Sequence, residues 1–176
     1  PALSFTYGGT SFDALDVTAK CGADRVIYTL PDGVELTVVT EFLQDYGVTR
    51  WTNHWRNPTD HRSALIENLC DCDLTLPMAP DPARTRRNKQ YTWEPKTLRL
   101  FISDGANIND HDHTVTPHRM WAGDHKEVCN QAGRSGMGTA PFFEVNEGGT
   151  QQNGVLTALG WTGQWRAYFD RGEDDF

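Results

Sequence analysis

Asp110-His111-Asp112-His113, with His118 and His125 close behind, is the first stretch of this chain whose side chains could do chemistry. On a strand, His111 and His113 would face the same way and carboxylates could complete a metal shell. The neighbouring Asn and Asp residues favour a loop instead, where spacing imposes no geometry. A hydrogen-bonded polar loop is therefore expected, with no metal and no cofactor. Cys70-Asp71-Cys72 has one intervening residue, whereas zinc sites use two to four in a turn. With Cys21 and Cys129 these are four cysteines; for Cys70 and Cys72 two buried free thiols are expected, which favours a cytosolic or otherwise reducing compartment. A Cys21–Cys129 disulfide stays open.

Nucleophilic and phosphate chemistry lack their signatures. There is no Gly-x-Ser-x-Gly elbow. Gly133-Arg134-Ser135-Gly136-Met137-Gly138 lacks the Lys-Ser/Thr end of a phosphate-binding loop, although it sits between a His/Trp-rich stretch and a Phe-rich strand. Aromatic residues are the remaining signal. Trp and Tyr rings stack on the CH faces of sugars while amides, carboxylates, His and Arg bind the hydroxyls. Alternation places Trp161, Trp165 and Phe169 on one face, expected to be core, and leaves Trp51, Trp55, Trp93 and Trp121 for a rim or an interface.

The elements that must position these residues have period two almost throughout. Asp24 to Leu30 and Val34 to Phe42 flank Pro31-Asp32-Gly33, a hairpin signal. Val48 to Arg56 alternates, with Thr49, Trp51, Asn53 and Trp55 on one face, until Asn57-Pro58 breaks it. Leu65 to Leu76 alternates with Ile66, Asn68, Cys70, Cys72, Leu74 and Leu76 as its core face. Pro77 to Arg87 reads as a connection, and short strands are expected at 91–93 and 97–102. Ser103 to Gly123 reads as one polar loop of about 20 residues, more often functional than idle. Pro141 to Val145 reads as a strand, followed by a Gly-rich turn and then Gly154 to Phe169 as a long strand or hairpin. Many short strands with frequent turns predict an all-β, antiparallel β-sandwich with few or no helices.

The 176 residues fit one domain. Twenty-four acidic against sixteen basic side chains give a net charge of −8, so no nucleic-acid partner is expected. The basic cluster Arg84, Arg86, Arg87 and Lys89 reads as a solvated loop. No apolar run is long enough for a membrane helix, and no membrane partner is expected. The chain starts at Pro1 without Met and stops after Arg171-Gly172-Glu173-Asp174-Asp175, so it reads as a piece of something longer.

Several strings carry a resemblance: Pro1-Ala2-Leu3-Ser4-Phe5-Thr6-Tyr7-Gly8-Gly9, Trp51 to Asn57, Arg134-Ser135 followed by Pro141-Phe142-Phe143, and above all Gly160-Trp161-Thr162-Gly163-Gln164-Trp165. Together they resemble the N-terminal domain of alpha-galactosidase-like enzymes of glycoside hydrolase family 36 and its relatives, from Phe5 to about Phe169. The resemblance implies a galactose-mutarotase-like β-supersandwich ahead of a (β/α)8 barrel that supplies both catalytic Asp residues. The chain has no Lys-Trp-Asp nucleophile motif, so no catalytic residue is expected in it. Its partner would be its own catalytic barrel, with a galactoside-type carbohydrate and an oligomer left open. Carbohydrate-binding or barrel-interface roles fall to Trp51, Trp55, Asp112, Trp121, Arg134, Ser135, Phe142 and Phe143. A free-standing carbohydrate-binding module and a structural or oligomerisation domain are the alternatives.

Overall fold

The computed structural model describes residues 3–77, 98–130, 132–147, 153–173 and 175–176. Among these the chain is all-β, and each strand pairing is antiparallel. Two 3₁₀ turns, Phe12–Ala14 and Gln44–Tyr46, are the only helical backbone in the described residues. No helix there is long and apolar enough to cross a membrane. The chain divides into two compact units, Pro1–Leu74 and Thr75–Phe176. The strand expected at 91–93, Trp93 and the basic cluster Arg84, Arg86, Arg87 and Lys89 lie outside the described residues.

The first unit holds β1 (Ser4–Tyr7), β2 (Thr10–Ser11), β3 (Thr18–Cys21), β4 (Arg25–Thr29), β5 (Glu35–Leu43), β6 (Val48–Arg56) and β7 (Ile66–Cys70). They form two sheets, ordered β2-β1-β7 and β3-β4-β5-β6. Alternate residues of both sheets, Phe5 and Tyr7 from β1 with Leu36 and Val38 from β5, fill one shared core, which is the arrangement of a β-sandwich. Leu36 has no exposed surface, and burying a leucine fully contributes roughly 1.5–3 kcal/mol. The expected hairpin is present, with Thr29 opposite Glu35. Gly33 supplies the left-handed residue (φ 86°) that its turn needs. The Asp32 carboxylate in that turn accepts the Tyr7 hydroxyl at 2.6 Å, and the same hydroxyl accepts the Ala64 N–H at 3.1 Å.

The Leu65 to Leu76 alternation does not make one strand. β7 ends at Cys70 and only Ile66 in it is sheltered, because Asn68 takes φ 52° and the pairing with β1 slips between Ser4 and Thr6. A one-residue slip ends the alternation, and all four residues after Ile66 in the strand are exposed. Of the two thiols expected to be buried, Cys70 is exposed and Cys72 half-buried; Cys21 is exposed and Cys129 half-buried, and all four are unpaired, so no Cys21–Cys129 disulfide forms.

The second unit holds β8 (Leu98–Asp104), β9 (Val115–Met120), β10 (His125–Cys129), β11 (Thr139–Glu147), β12 (Asn153–Ala158) and β13 (Arg166–Asp170). A four-stranded sheet, β12-β11-β8-β9, and the ribbon β10-β13 share a second core of Leu98, Leu100, Ile102, Met120, Phe143, Val145 and Trp165, joined by Val128, Ala167, Phe169 and Phe176. Pro117 is tolerated because β9 is an edge strand, and Pro141 because it falls where the β11–β8 register breaks, between Thr139 and Phe143. The 20-residue polar loop expected from Ser103 to Gly123 is therefore shorter: β9 occupies its second half, leaving residues 105–114 as the connection. The long strand or hairpin expected from Gly154 to Phe169 is two strands, β12 and β13, around a loop at 159–165, and they pair with β11 and β10 rather than with each other.

Candidate functional site

Three loops of the second unit are fastened to one another, and each is fastened through residues with a specific reason to be there. Gly105, buried where the first loop (105–114) leaves β8, passes so close to the second loop (133–138) that a Cβ would lie 2.1 Å from the Gly136 carbonyl oxygen. That proximity lets Gly105 N–H donate to Gly138 O (3.0 Å) and Ala106 N–H to Gly136 O (2.7 Å), while the Asn107 side-chain oxygen accepts the Gly138 N–H at 3.1 Å. Asp112 closes the first loop on itself: its two carboxylate oxygens accept the N–H groups of Asn107 and Ile108, each at 2.8 Å. Those backbone donors hold the Asp112 carboxyl below the usual carboxylate range. The clamp also fixes Ile108 at φ 61° with 98% of its surface exposed, a strained backbone for a β-branched residue.

The third loop, 159–165, is held by two residues. Trp165 is buried and donates its indole N–H to Ser135 O at 2.8 Å, while Ser135 N–H reaches Thr162 O at 3.3 Å. Asn130, 2% exposed, is the hub: it accepts Trp165 N–H (2.8 Å) with its side-chain oxygen, donates its amide to Gly163 O (3.0 Å), and offers its carbonyl to the Gln164 side chain (3.1 Å). These three bonds all go to that one loop and partner both side-chain polar atoms, as burial of an amide requires.

Between the first two loops lies a depression of about 280 Å³ lined by Ala106, Asn107, Ile108, Arg134 and Met137. Arg134 is its one charged lining residue, exposed and without an ion-pair partner among the described residues. An apolar hollow with a single guanidinium fork can hold a ligand and orient its oxygens. The five lining residues include no carboxylate.

Asp112, Arg134 and Ser135 thus come together. Trp161, expected in the core, is 65% exposed in the 159–165 loop beside them, whereas Trp165 is core as expected. The face rule failed because these two residues lie in a loop, where parity has no meaning. Phe143 is 2% exposed and packs edge-on against Trp165 and Phe169, while Phe142 points out from β11 at 53% exposure. Trp121 is exposed in the β9–β10 turn, with the Arg119 guanidinium 5.6 Å over its ring. Trp51 and Trp55, expected at a rim, belong to the first unit, half-buried against its core. Trp51 donates to Asp71 O at 2.9 Å, and Trp55 meets Phe5 edge-on at 5.0 Å. Asn130, Ile108, Asn107 and Met137 were not anticipated, and lone residues in loops carry no periodic signal.

The histidines disperse. His111 and His113 sit in the first loop, His118 is on β9, where burial and Lys126 push its imidazole pKa down, and His125 on β10 bonds Asp170 at 2.7 Å. No group of three or more His, Cys, Asp or Glu among the described residues could hold a metal ion. No protein-family model, curated protein or solved structure matches the chain.

Proposed function

We propose that this chain is the non-catalytic N-terminal domain of an alpha-galactosidase-like glycoside hydrolase, packing on a catalytic barrel and shaping the rim of its sugar pocket. One observation carries the proposal. Arg134-Ser135 and Gly160-Trp161-Thr162-Gly163-Gln164-Trp165, two of the strings on which the family resemblance rests, are bonded to each other through Trp165–Ser135 and Ser135–Thr162, although some 30 residues separate them. Their convergence on one loop cluster beside the depression supports a single shared surface for the two strings.

The purified chain is expected to show no turnover of an aryl alpha-galactoside, and the reading frame beyond codon 176 is expected to encode a (β/α)8 barrel with two catalytic Asp residues. Turnover by the chain itself, or a stop codon at that point, would overturn the proposal. A stop codon would favour a free-standing carbohydrate-binding module, the reading that the exposure of Trp161 and Trp121 supports.

A further inference from the structure

The second unit leaves one sheet edge undefended. β12 is the outer strand of the sheet β12-β11-β8-β9, and its residues, Asn153-Gly154-Val155-Leu156-Thr157-Ala158, include neither a charge nor a proline. Every other edge among the described residues carries a deterrent to pairing. β2 is only two residues long, and the others hold Lys20 (β3), Arg50 (β6), Glu67 (β7), Pro117 (β9), Lys126 (β10) and Arg166 (β13).

The ladder to β11 decides which groups of β12 face outward. Leu159 N–H donates to Pro141 O at 2.9 Å, one step beyond the Phe142–Ala158 pair. Bonded and non-bonded pairs alternate in an antiparallel ladder, so Val155 and Thr157 bond β11, while Gly154, Leu156 and Ala158 turn their N–H and C=O groups away from it. No described residue bonds those outward groups. Leu156, the middle one of the three, is 70% exposed.

This spacing makes the strand complementary to itself. A two-fold axis at Leu156 sets Leu156 against its own copy, and Gly154 and Ala158 against the copy's Ala158 and Gly154, so that every outward group meets a partner. The two Leu156 side chains then lie on one face with their Cα atoms about 5.5 Å apart, flanked by residues too small to obstruct them. Charge does not oppose the seam. Glu144, opposite Leu156 on β11, would lie three strand spacings, about 14 Å, from its copy, beyond the screening length of about 8 Å at physiological salt.

We infer that β12 is a self-pairing edge, through which two copies of this chain join their four-stranded sheets into one continuous antiparallel sheet. Assembly stops at two copies, because the pairing uses both β12 edges and the outer strand left on each side is β9, with its Pro117. One strand per copy is a small interface, so the dimer exchanges with the monomer.

The test combines sedimentation velocity with amide hydrogen exchange on the whole chain at pH 7, from about 10 μM to about 1 mM, with a dissociation constant on the order of 100 μM expected. Across that range exchange at Gly154, Leu156 and Ala158 should slow about fourfold by mass action, while Val155 and Thr157 stay protected throughout. Leu156→Pro removes an outward N–H and leaves the β11 ladder intact, so it should abolish the dimer. Leu156→Lys keeps that N–H but sets like charges against each other across the axis, and should weaken pairing roughly five- to tenfold, less so at about 1 M salt. Near-ultraviolet dichroism checks that both variants are folded. A chain that sediments as a monomer throughout, with exchange blind to concentration, overturns the inference, as does a dimer that survives both substitutions. Protection of the three amides at every concentration overturns it too, since another segment of the same chain would then cover the edge. The pairing rests on strand order and register alone, so it and the accessory-domain proposal fail separately.

Discussion

Tyr7 shows how much a single hydroxyl organises in the first unit. It donates to Asp32 in the β4–β5 turn and accepts from Ala64 in the segment before β7. Burial, then the hydrogen bond to Asp32, push its phenol pKa up from 10.0 to about 12, against a smaller opposing pull from the Ala64 N–H. The same bond holds the Asp32 carboxyl below its ordinary 3.8. The signs are opposite for the two groups. The Tyr7 contribution is complete below pH 10.0 and is lost as pH rises through about 12. The Asp32 contribution is present above 3.8 and is lost as pH falls through its lower folded value. Tyr7→Phe strands the Ala64 donor and should cost about 1–3 kcal/mol in urea unfolding at pH 7. The gap to wild type should narrow by pH 11.5 or so, where wild-type Tyr7 is itself ionising. Absorbance at 295 nm should lose its latest tyrosine step in the variant, and an unchanged titration would show that Tyr7 is not that step.

Gly105 does for the second unit's loops what Tyr7 does for the first unit's turn. Since an added Cβ would meet the Gly136 carbonyl at 2.1 Å, a backbone atom that cannot rotate aside, Gly105→Ala must part loop 105–114 from loop 133–138. It should cost about 1–3 kcal/mol, the range for overpacking. The amides of Gly105, Ala106 and Gly138 should exchange faster while the β8–β11 ladder stays protected; unchanged protection at Ala106 would mean the loops are not fastened there. The same contrast between ladders and loops decides what was legible in the sequence. The β4–β5 hairpin and β6 were readable because alternation and Asp32-Gly33 act on neighbouring residues. Ser103 to Gly123 was misread because Val115, Pro117 and polar neighbours mask the β9 period, and a Pro normally argues against a strand unless the strand is an edge, which only the sheet order reveals. At the site, Arg134 and Ser135 were legible as part of a Gly-rich string. Asn130 was not, since its role depends on a loop 33 to 35 residues away.

For the molecule as a whole, the relevant balance is between charge and uncovered apolar surface. In the four-stranded sheet of the second unit, Leu156 opposes Glu144, Glu144 opposes Phe101, and Phe101 opposes Pro117. Phe142 and Val115 lie on the same outward face one step along their strands. Leu156 is 70% exposed, Val115 55% and Phe142 53%, so this face carries an apolar band in water. Exposed apolar side chains grouped this way, even around one Glu144 carboxylate, drive association when nothing opposes it. At pH 7 the net charge of −8 opposes it, and near the isoelectric point of about 5.1 that repulsion vanishes. Light scattering should therefore rise steeply as pH falls from 7 toward 5.1. Salt at pH 7 should reproduce part of the rise, because at about 1 M the screening length is only about 3 Å. Leu156→Ser leaves the charge untouched and removes the most exposed member of the band, so it should shift the onset to lower pH without changing the isoelectric point. If Leu156→Ser scatters as the wild type does at every pH, association runs through another surface and this face stays free in solution.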